Sequence, residues 1–195
     1  MRHVTMTVSP PAAAPGSTRA GRTVMDAARK RALFEEIVIP HLNAAYNLAR
    51  WLTRNSDDAE DLVQESYLRA FRSFDAFQGR DGRAWLLAVV RNTCFTWLRK
   101  QGDRPTSEFD EQMHAAADRS PNAESVLLNQ AALGSLNDCL EALPPEFREA
   151  IVLRELEELS YQEISVIARV PVGTVMSRIA RGRKRLQQCL AGALR

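Results

Sequence analysis

The chain has 195 residues, of which 45% are hydrophobic and 26% are charged. This length suits two small domains or one medium domain, and the composition supports folded cores. No apolar run approaches the roughly 18 to 20 residues that a membrane span needs. Prolines at positions 10, 11 and 15 interrupt the place where a secretion signal would have its apolar core. We therefore expect a cytoplasmic protein without membrane insertion.

The three cysteines, Cys94, Cys139 and Cys189, are far apart and form no CxxC motif. None of the three histidines stands at a metal-ligand spacing from a cysteine. We therefore predict three separate thiols, buried or half-buried, with no metal site and no cofactor.

The net charge is only +2, but it is unevenly distributed. Residues 72–104 carry seven basic and three acidic side chains, and residues 160–195 carry seven basic and one acidic. The segment between them, 140–159, has two basic and six acidic side chains. A polyanion could contact both basic blocks while the acidic blocks face another surface. Charge alone fits ordinary solvated faces equally well.

In chain order, the pattern divides the protein into four parts. Residues 1–25 are rich in Pro, Ala, Ser, Thr and Gly and predict a disordered tail. Residues 26–100 show helical periodicity, 101–122 read as a linker by composition, and 123–195 are helical again. The expected fold is all-α, with two small helical domains joined by a flexible linker.

The first domain is predicted to contain three helices. The first runs from Ala28 to Thr53, with a break or kink at Pro40 because proline lacks an N–H. The second follows a cap cluster at Asn55–Asp58, and a loop at Phe74–Gly82 separates it from the third, Arg83–Lys100. The second helix has one apolar face, in steps of three and four: Ala59, Leu62, Val63, Tyr67, Ala70, Phe71 and Phe74.

The second domain carries a helix-turn-helix pattern. Ser160 and Glu163 fit a capping box at the start of one short helix, and Arg169–Val172 is a break. A basic helix then begins at Gly173-Thr174. Such a pair is typical of motifs that place the second helix in the DNA major groove. The alternative is an amphipathic helix with a solvated basic face.

Several segments together resemble the extracytoplasmic-function sigma factors of the sigma-70 family. Asp57–Phe71, Arg83–Asn92 and Trp97–Lys100 are similar to region 2 of that family. The region 4 resemblance lies in Leu143–Arg154, Leu159–Ile164 and Pro171–Arg178. The match covers roughly Phe34 to Leu190, and the blocks stand in the family order.

The resemblance implies three sets of site residues. An acidic helix face that docks on the clamp helices of the largest polymerase subunit would contain Asp61, Gln64 and Glu65. Contacts with extruded bases of the −10 element would involve Phe74, Phe77, Asn92 and Arg99. Contacts with the −35 element or its backbone would involve Thr174, Ser177, Arg178, Arg181, Arg183 and Lys184.

The chain departs from the family pattern at two places. The stretch between Gly79 and Trp85 is one residue short, with Gly82 and Arg83 where an aromatic is more usual. Met176 stands where several relatives carry a basic residue. Residue by residue, other readings stay open: Phe74 and Phe77 could be core residues, and Asn92 could be an ordinary surface side chain.

The resulting prediction is a bacterial RNA polymerase sigma factor and not an enzyme. Its implied partners are core RNA polymerase, through the two largest subunits, promoter DNA, and an anti-sigma factor that clamps the two domains. The acidic stretch Glu141–Glu158 would flank the surface that meets the flap of the second-largest subunit. The alternatives are a helix-turn-helix regulator that acts without polymerase and a small nuclease. A nuclease would need clustered carboxylates, which the sequence does not show.

Overall fold

The computed structural model describes residues 26–77, 81–102 and 133–193. The predicted tail, residues 103–122 of the predicted linker, residues 123–132 and the loop residues 78–80 lie outside them. Every regular element in the described part of the chain is helical, so the expected all-α fold class is confirmed. The predicted domain boundaries themselves stay a prediction.

The first bundle contains four α-helices. They are α1 (Ala27–Val38), α2 (Leu42–Thr53), α3 (Ser56–Ser73) and α4 (Gly82–Gly102). Pro40 lies in a short 3₁₀ turn, Ile39–His41, between α1 and α2, which is the predicted interruption. A second 3₁₀ turn, Phe74–Ala76, follows α3.

The turn between α2 and α3 is fixed by two backbone devices. Arg54 ends α2 in the left-handed conformation, with φ 62°. The Asn55 side chain then accepts hydrogen bonds from the backbone N–H groups of Asp57 and Asp58, at 2.8 and 3.1 Å. The predicted cap cluster therefore begins α3, and the two acids lie at the positive end of its dipole.

The second bundle contains the helix-turn-helix. Residues 133–141 form α5, and α6 (Pro145–Ile151) continues as a π-helical turn, Val152–Leu156. Then follow α7 (Tyr161–Ala168) and α8 (Val172–Ala193). The predicted capping box is present, since Ser160 and Glu163 exchange hydrogen bonds of 2.7 and 3.2 Å.

The prediction of three separate thiols is wrong for two cysteines. Cys139 in α5 and Cys189 in α8 form a disulfide, with their Cα atoms 5.8 Å apart. Their separation of 50 residues gave no sign of this, because helix packing and not spacing brings them together. Cys94 is a buried thiol as predicted, and burial raises its pKa to about 12.

The two bundles pack directly against each other. Helix α2 lies against α6, and α4 lies against α7. Buried apolar side chains from both bundles, such as Leu87 and Ile167, belong to one continuous cluster. The surfaces that each bundle presents to the other therefore determine which predicted site residues remain accessible.

Candidate polymerase and nucleic-acid interfaces

The outer face of α3 presents the residues predicted to bind polymerase. Asp61, Gln64 and Glu65 are all exposed, because the buried side of α3 is formed by residues such as Leu62, Val63 and Ser66. Leu68 lies one helical turn beyond Gln64 on the same outer face, and 59% of it is exposed. Leu68 was not among the predicted site residues. Its position outside the apolar register of α3 is the signal that could have indicated it.

Three carboxylates crowd the start of α3. The pKa of Asp58 is raised by partial burial and then by its neighbours Asp61 and Asp57. The α3 face therefore combines concentrated negative charge with one exposed leucine. Such a surface suits a basic partner that also offers an apolar contact.

The aromatic residues after α3 divide into buried and accessible members. Phe74 is only 3% exposed, and its ring centroid lies 5.3 Å from that of Phe34 and 5.6 Å from that of Phe77. Phe74 is thus a core residue in this conformation, and its assignment to base capture stays a prediction. Phe77 is half-buried against Trp85, with ring centroids 5.0 Å apart, and so remains partly accessible.

Gly82 explains one departure from the family pattern. It is the first residue of α4 and packs against α1, so a Cβ atom at this position would lie 2.6 Å from the carbonyl oxygen of Ile37. No larger side chain fits beside that backbone without moving α1. An aromatic residue at this position would therefore not fit here.

The outer part of α4 carries the remaining −10 candidates. Asn92 is half-buried and Arg99 is exposed. Both line a cleft whose other walls are Arg91, Phe95, Thr96 and, from the helix-turn-helix, Arg169. The Arg99 guanidinium donates to the Thr96 hydroxyl at 3.3 Å. The cleft thus combines three guanidinium groups, an amide and an aromatic ring, a set that suits nucleic acid.

Helix α8 presents most of the −35 candidates on one outward face. Ser177, Arg181 and Lys184 are exposed, and Thr174 is half-buried. These positions recur in steps of three and four, so they share a face opposite the buried Val175 and Ile179. Met176 is 52% exposed beside them.

Two further −35 candidates are engaged in ion pairs within the protein. Arg183 donates to Glu155 at 2.5 and 3.0 Å, and both side chains are about half exposed. Arg178 is more enclosed, with its Nη1 3.9 Å from a carboxylate oxygen of the buried Glu149. A phosphate or base would compete with these carboxylates for both arginines.

The acidic segment before the helix-turn-helix is partly buried. Glu149 and Glu157 are 1% and 6% exposed, and both are paired with arginines of α4. Burial raises the pKa of Glu149, although Arg91 and Arg178 oppose the shift. These two acids are therefore not part of an outward acidic face, as their position in the stretch Glu141–Glu158 had suggested.

Residues 26–77, 81–102 and 133–193 contain neither a cluster of metal-ligand side chains nor a membrane-spanning helix. No group of three or more His, Cys, Asp or Glu side chains in these ranges could hold a metal ion. None of the helices in the same ranges is long and apolar enough to cross a membrane.

Two family matches cover most of the described residues. Sigma-70 region 2 matches residues 37–104, and sigma-70 region 4 matches residues 133–186. The first match contains the α3 face and the walls of the cleft that α4 contributes. The second contains α7 and most of α8.

Two ECF RNA polymerase sigma factors are similar to this chain over most of its length. The ECF RNA polymerase sigma factor SigE of Mycolicibacterium smegmatis is 36% identical over 180 residues, covering 91% of this chain and 70% of SigE. The ECF RNA polymerase sigma-E factor of Escherichia coli K12 is 38% identical over 137 residues, covering 66% of this chain and 72% of the relative.

Solved structures agree. The sigma factor RpoE, in complex with the anti-sigma factor NepR from Bartonella quintana, aligns with a TM-score of 0.67 and 29% identity. The alignment covers 81% of this chain and 96% of RpoE. CnrH, in complex with the cytosolic domain of CnrY, shares the fold with a TM-score of 0.60 and 24% identity, over 83% of this chain and 90% of CnrH.

Proposed function

The chain belongs to the ECF RNA polymerase sigma factors, and we propose that it directs core polymerase to a set of promoters and helps to melt them. One observation carries the proposal: an acidic docking face on α3 and a basic reading face on α8 occur in one chain, each exposed. A regulator that acts without polymerase needs only the second face. The protein would act by binding, without hydrolysing a nucleotide, and in the cytosol with the polymerase.

Docking on polymerase is assigned to Asp61, Gln64, Glu65 and Leu68. The acidic and amide groups would steer and orient the encounter with a basic surface, while Leu68 would be desolvated at its centre. The core side of α3 is already filled, so substitutions on the outer face should leave the fold intact.

Recognition of the −35 element is assigned to α8. Arg181 and Lys184 would contact phosphates or base edges directly, with Ser177 and Thr174 beside them. Arg178 and Arg183 would join after exchanging their carboxylate partners for DNA. Because much of this affinity comes from released counterions, it should fall steeply with salt.

Recognition of the −10 strand is assigned to Phe77, Asn92 and Arg99. An extruded base costs a few kcal/mol to unstack, which stacking on an aromatic ring and hydrogen bonds to an amide would offset. Phe74 would support this surface from the core.

We also propose that an anti-sigma factor controls the protein. The support is the likeness to RpoE, which was solved together with the anti-sigma factor NepR. Amphipathic partner helices could use the apolar side chains exposed on this chain, such as Val166 at 66% and Leu156 at 51%.

Run-off transcription tests the main proposal. Purified core polymerase and a library of promoter fragments are combined with and without the protein, and specific transcripts should require it. The double variant Asp61→Arg, Gln64→Arg should abolish them. Its control is Glu35→Arg with Glu36→Gln, which makes the same total charge change on the exposed face of α1.

Two results would count against a sigma factor. One is an absence of specific transcripts together with failure to co-purify with core polymerase. The other is full activity of the α3 variant. If the protein alone then shifts duplex DNA, a polymerase-independent regulator becomes the better description.

A further inference from the structure

One carboxylate of the second bundle is held by donors from the first. The Arg83 guanidinium donates to Glu157 Oε2 at 2.6 Å and to the Glu157 backbone carbonyl at 2.9 Å. Asn47, from α2, donates to Glu157 Oε1 at 3.1 Å. Glu157 is only 6% exposed, so the two bundles can separate only by breaking all three hydrogen bonds and hydrating this carboxylate.

A second carboxylate makes the same kind of contact two helical turns along α4. Glu149 of α6 is 1% exposed and accepts from Nε and Nη2 of Arg91. Arg83 and Arg91 are eight residues apart, so they lie near the same face of α4. The acidic segment 140–159 therefore pairs with two arginines of the basic helix that was expected to contact a polyanion.

The same packing brings the helix-turn-helix over the −10 candidates. Helix α7 lies on α4, and Arg169, in the turn after α7, lines the cleft that contains Asn92 and Arg99. In contrast, Ser177, Arg181 and Lys184 on α8 stay exposed. This arrangement thus restricts access to one DNA-binding surface and leaves the other open.

Promoter geometry does not permit this arrangement when both elements are bound. The −10 and −35 elements are about 25 base pairs apart, which corresponds to about 85 Å along straight duplex at 3.4 Å per base pair. Two bundles whose helices touch cannot reach across such a distance. The packed arrangement must therefore open before the protein can hold both elements.

We propose that Glu149 and Glu157 act as internal substitutes for DNA phosphates and form an autoinhibitory latch. In the closed protein they occupy Arg91 and Arg83, and when polymerase separates the bundles these arginines become contacts for the DNA backbone. The inference rests on the proposed sigma function. It adds two DNA-binding residues and assigns their partners in the DNA-free state.

The test uses Glu157→Gln, because the hydrogen bonds described for the Glu157 side chain all come from the first bundle. Small-angle X-ray scattering should show a larger radius of gyration than wild type. Affinity for a fluorescein-labelled single-stranded DNA of random sequence should rise about tenfold. The matched control is Glu158→Gln, an exposed neighbour with the same charge change, for which both values should stay near wild type.

A second variant separates opening from DNA contact. Arg83→Gln should also expand the protein, because it removes the same ion pair, but it should gain less DNA affinity than Glu157→Gln because a backbone contact is lost. Far-UV circular dichroism on every variant checks that the helices are intact. If both variants keep the wild-type radius and Glu157→Gln binds DNA no better than Glu158→Gln, the latch is overturned.

Run-off transcription with the wild-type protein distinguishes failure of the latch from failure of the sigma function. Transcripts together with an unchanged radius in Glu157→Gln would overturn the latch and leave the sigma function intact. An absence of transcripts together with expansion of Glu157→Gln would overturn the sigma function, and with it the DNA contacts of Arg83 and Arg91, while the closed contact would stand.

Discussion

The two basic helices, α4 and α8, differ in what surrounds their arginines. On α4, Arg83 and Arg91 are paired with carboxylates that are 6% and 1% exposed, where water and salt screen the pairing poorly. On α8, Arg178 approaches the buried Glu149 at 3.9 Å, but Arg181 and Lys184 are exposed. Arg183 pairs with a carboxylate that is itself 44% exposed, an interaction worth little net free energy. Two helices that both read as basic in the sequence thus differ in how available their charges are for DNA.

The bundles that carry these helices also differ in how they are held together. The first has its aromatic cluster and all three tryptophans, Trp51, Trp85 and Trp97. The second has a disulfide between its first and last helices. Tryptophan fluorescence therefore reports the unfolding of the first bundle, whereas far-UV circular dichroism reports the helices of both bundles.

The largest expected effect is on the second bundle. Removing the cross-link with Cys139→Ser and Cys189→Ser should lower its free energy of unfolding by about 4 kcal/mol, since a loop of 50 residues regains its unfolded-state entropy. Urea unfolding followed by far-UV circular dichroism should show a shifted helical transition. The tryptophan transition should move much less.

Reductant provides the control for this prediction. It should reproduce the shift in the wild-type protein and have no effect on the double serine variant, which retains Cys94. Coincident transitions for both probes in all samples would contradict the prediction, because they would mean that the two bundles unfold as one unit.

The comparison of α4 with α8 also indicates how far sequence reasoning reaches. Local signals were sufficient for the capping box at Ser160, the interruption at Pro40 and the exposed face of α3, because each depends on neighbours within one or two turns. The disulfide, the burial of Glu149 and Glu157, and the position of Phe74 in the core depend on contacts between distant segments. Such contacts leave no periodic trace in a single sequence.

The next largest losses of stability are expected at two glycines where helices approach closely. A Cβ at Gly82 would lie 2.6 Å from the Ile37 carbonyl oxygen, a backbone atom, whereas at Gly182 the nearest atom is the Ile151 Cγ1, at 2.8 Å. Gly82→Ala should therefore cost about 2 kcal/mol in the first bundle, and Gly182→Ala should cost less because Ile151 can rearrange.

Gly173→Ala serves as the control for both glycines. It lies in a helix, and a Cβ added there would have no atom within 4 Å, so the change should be neutral or stabilise by up to about 1 kcal/mol. Urea unfolding with both probes measures all three variants. A larger loss for Gly182→Ala than for Gly82→Ala would show that α6 is less adaptable than α1.

A smaller loss of stability is expected when a helix cap is removed from either bundle. Asn55→Ala removes an acceptor for two backbone N–H groups and should cost about 1 kcal/mol, detected by tryptophan fluorescence. Ser160→Ala breaks the capping box of α7 and should cost a similar amount, detected by circular dichroism. If each variant shifts both probes equally, the bundles are coupled through the α4–α7 contact.

The smallest effect concerns the pH dependence of the capping box. Hydrogen bonds from Ser160 lower the pKa of Glu163 below its ordinary value of 4.5. The folded state therefore binds this proton more weakly than the unfolded state. The stabilisation is complete above pH 4.5 and is lost as the pH falls through the lower folded value. Glu163→Gln should flatten this part of the stability profile, whereas Glu158→Gln should leave it unchanged.

Glu149, whose pKa is raised, affects stability with the opposite sign. Its contribution to the free energy of unfolding is present below pH 4.5 and is lost as the pH rises through its folded pKa. Only the difference between the Glu163 and Glu158 variants thus isolates the capping box.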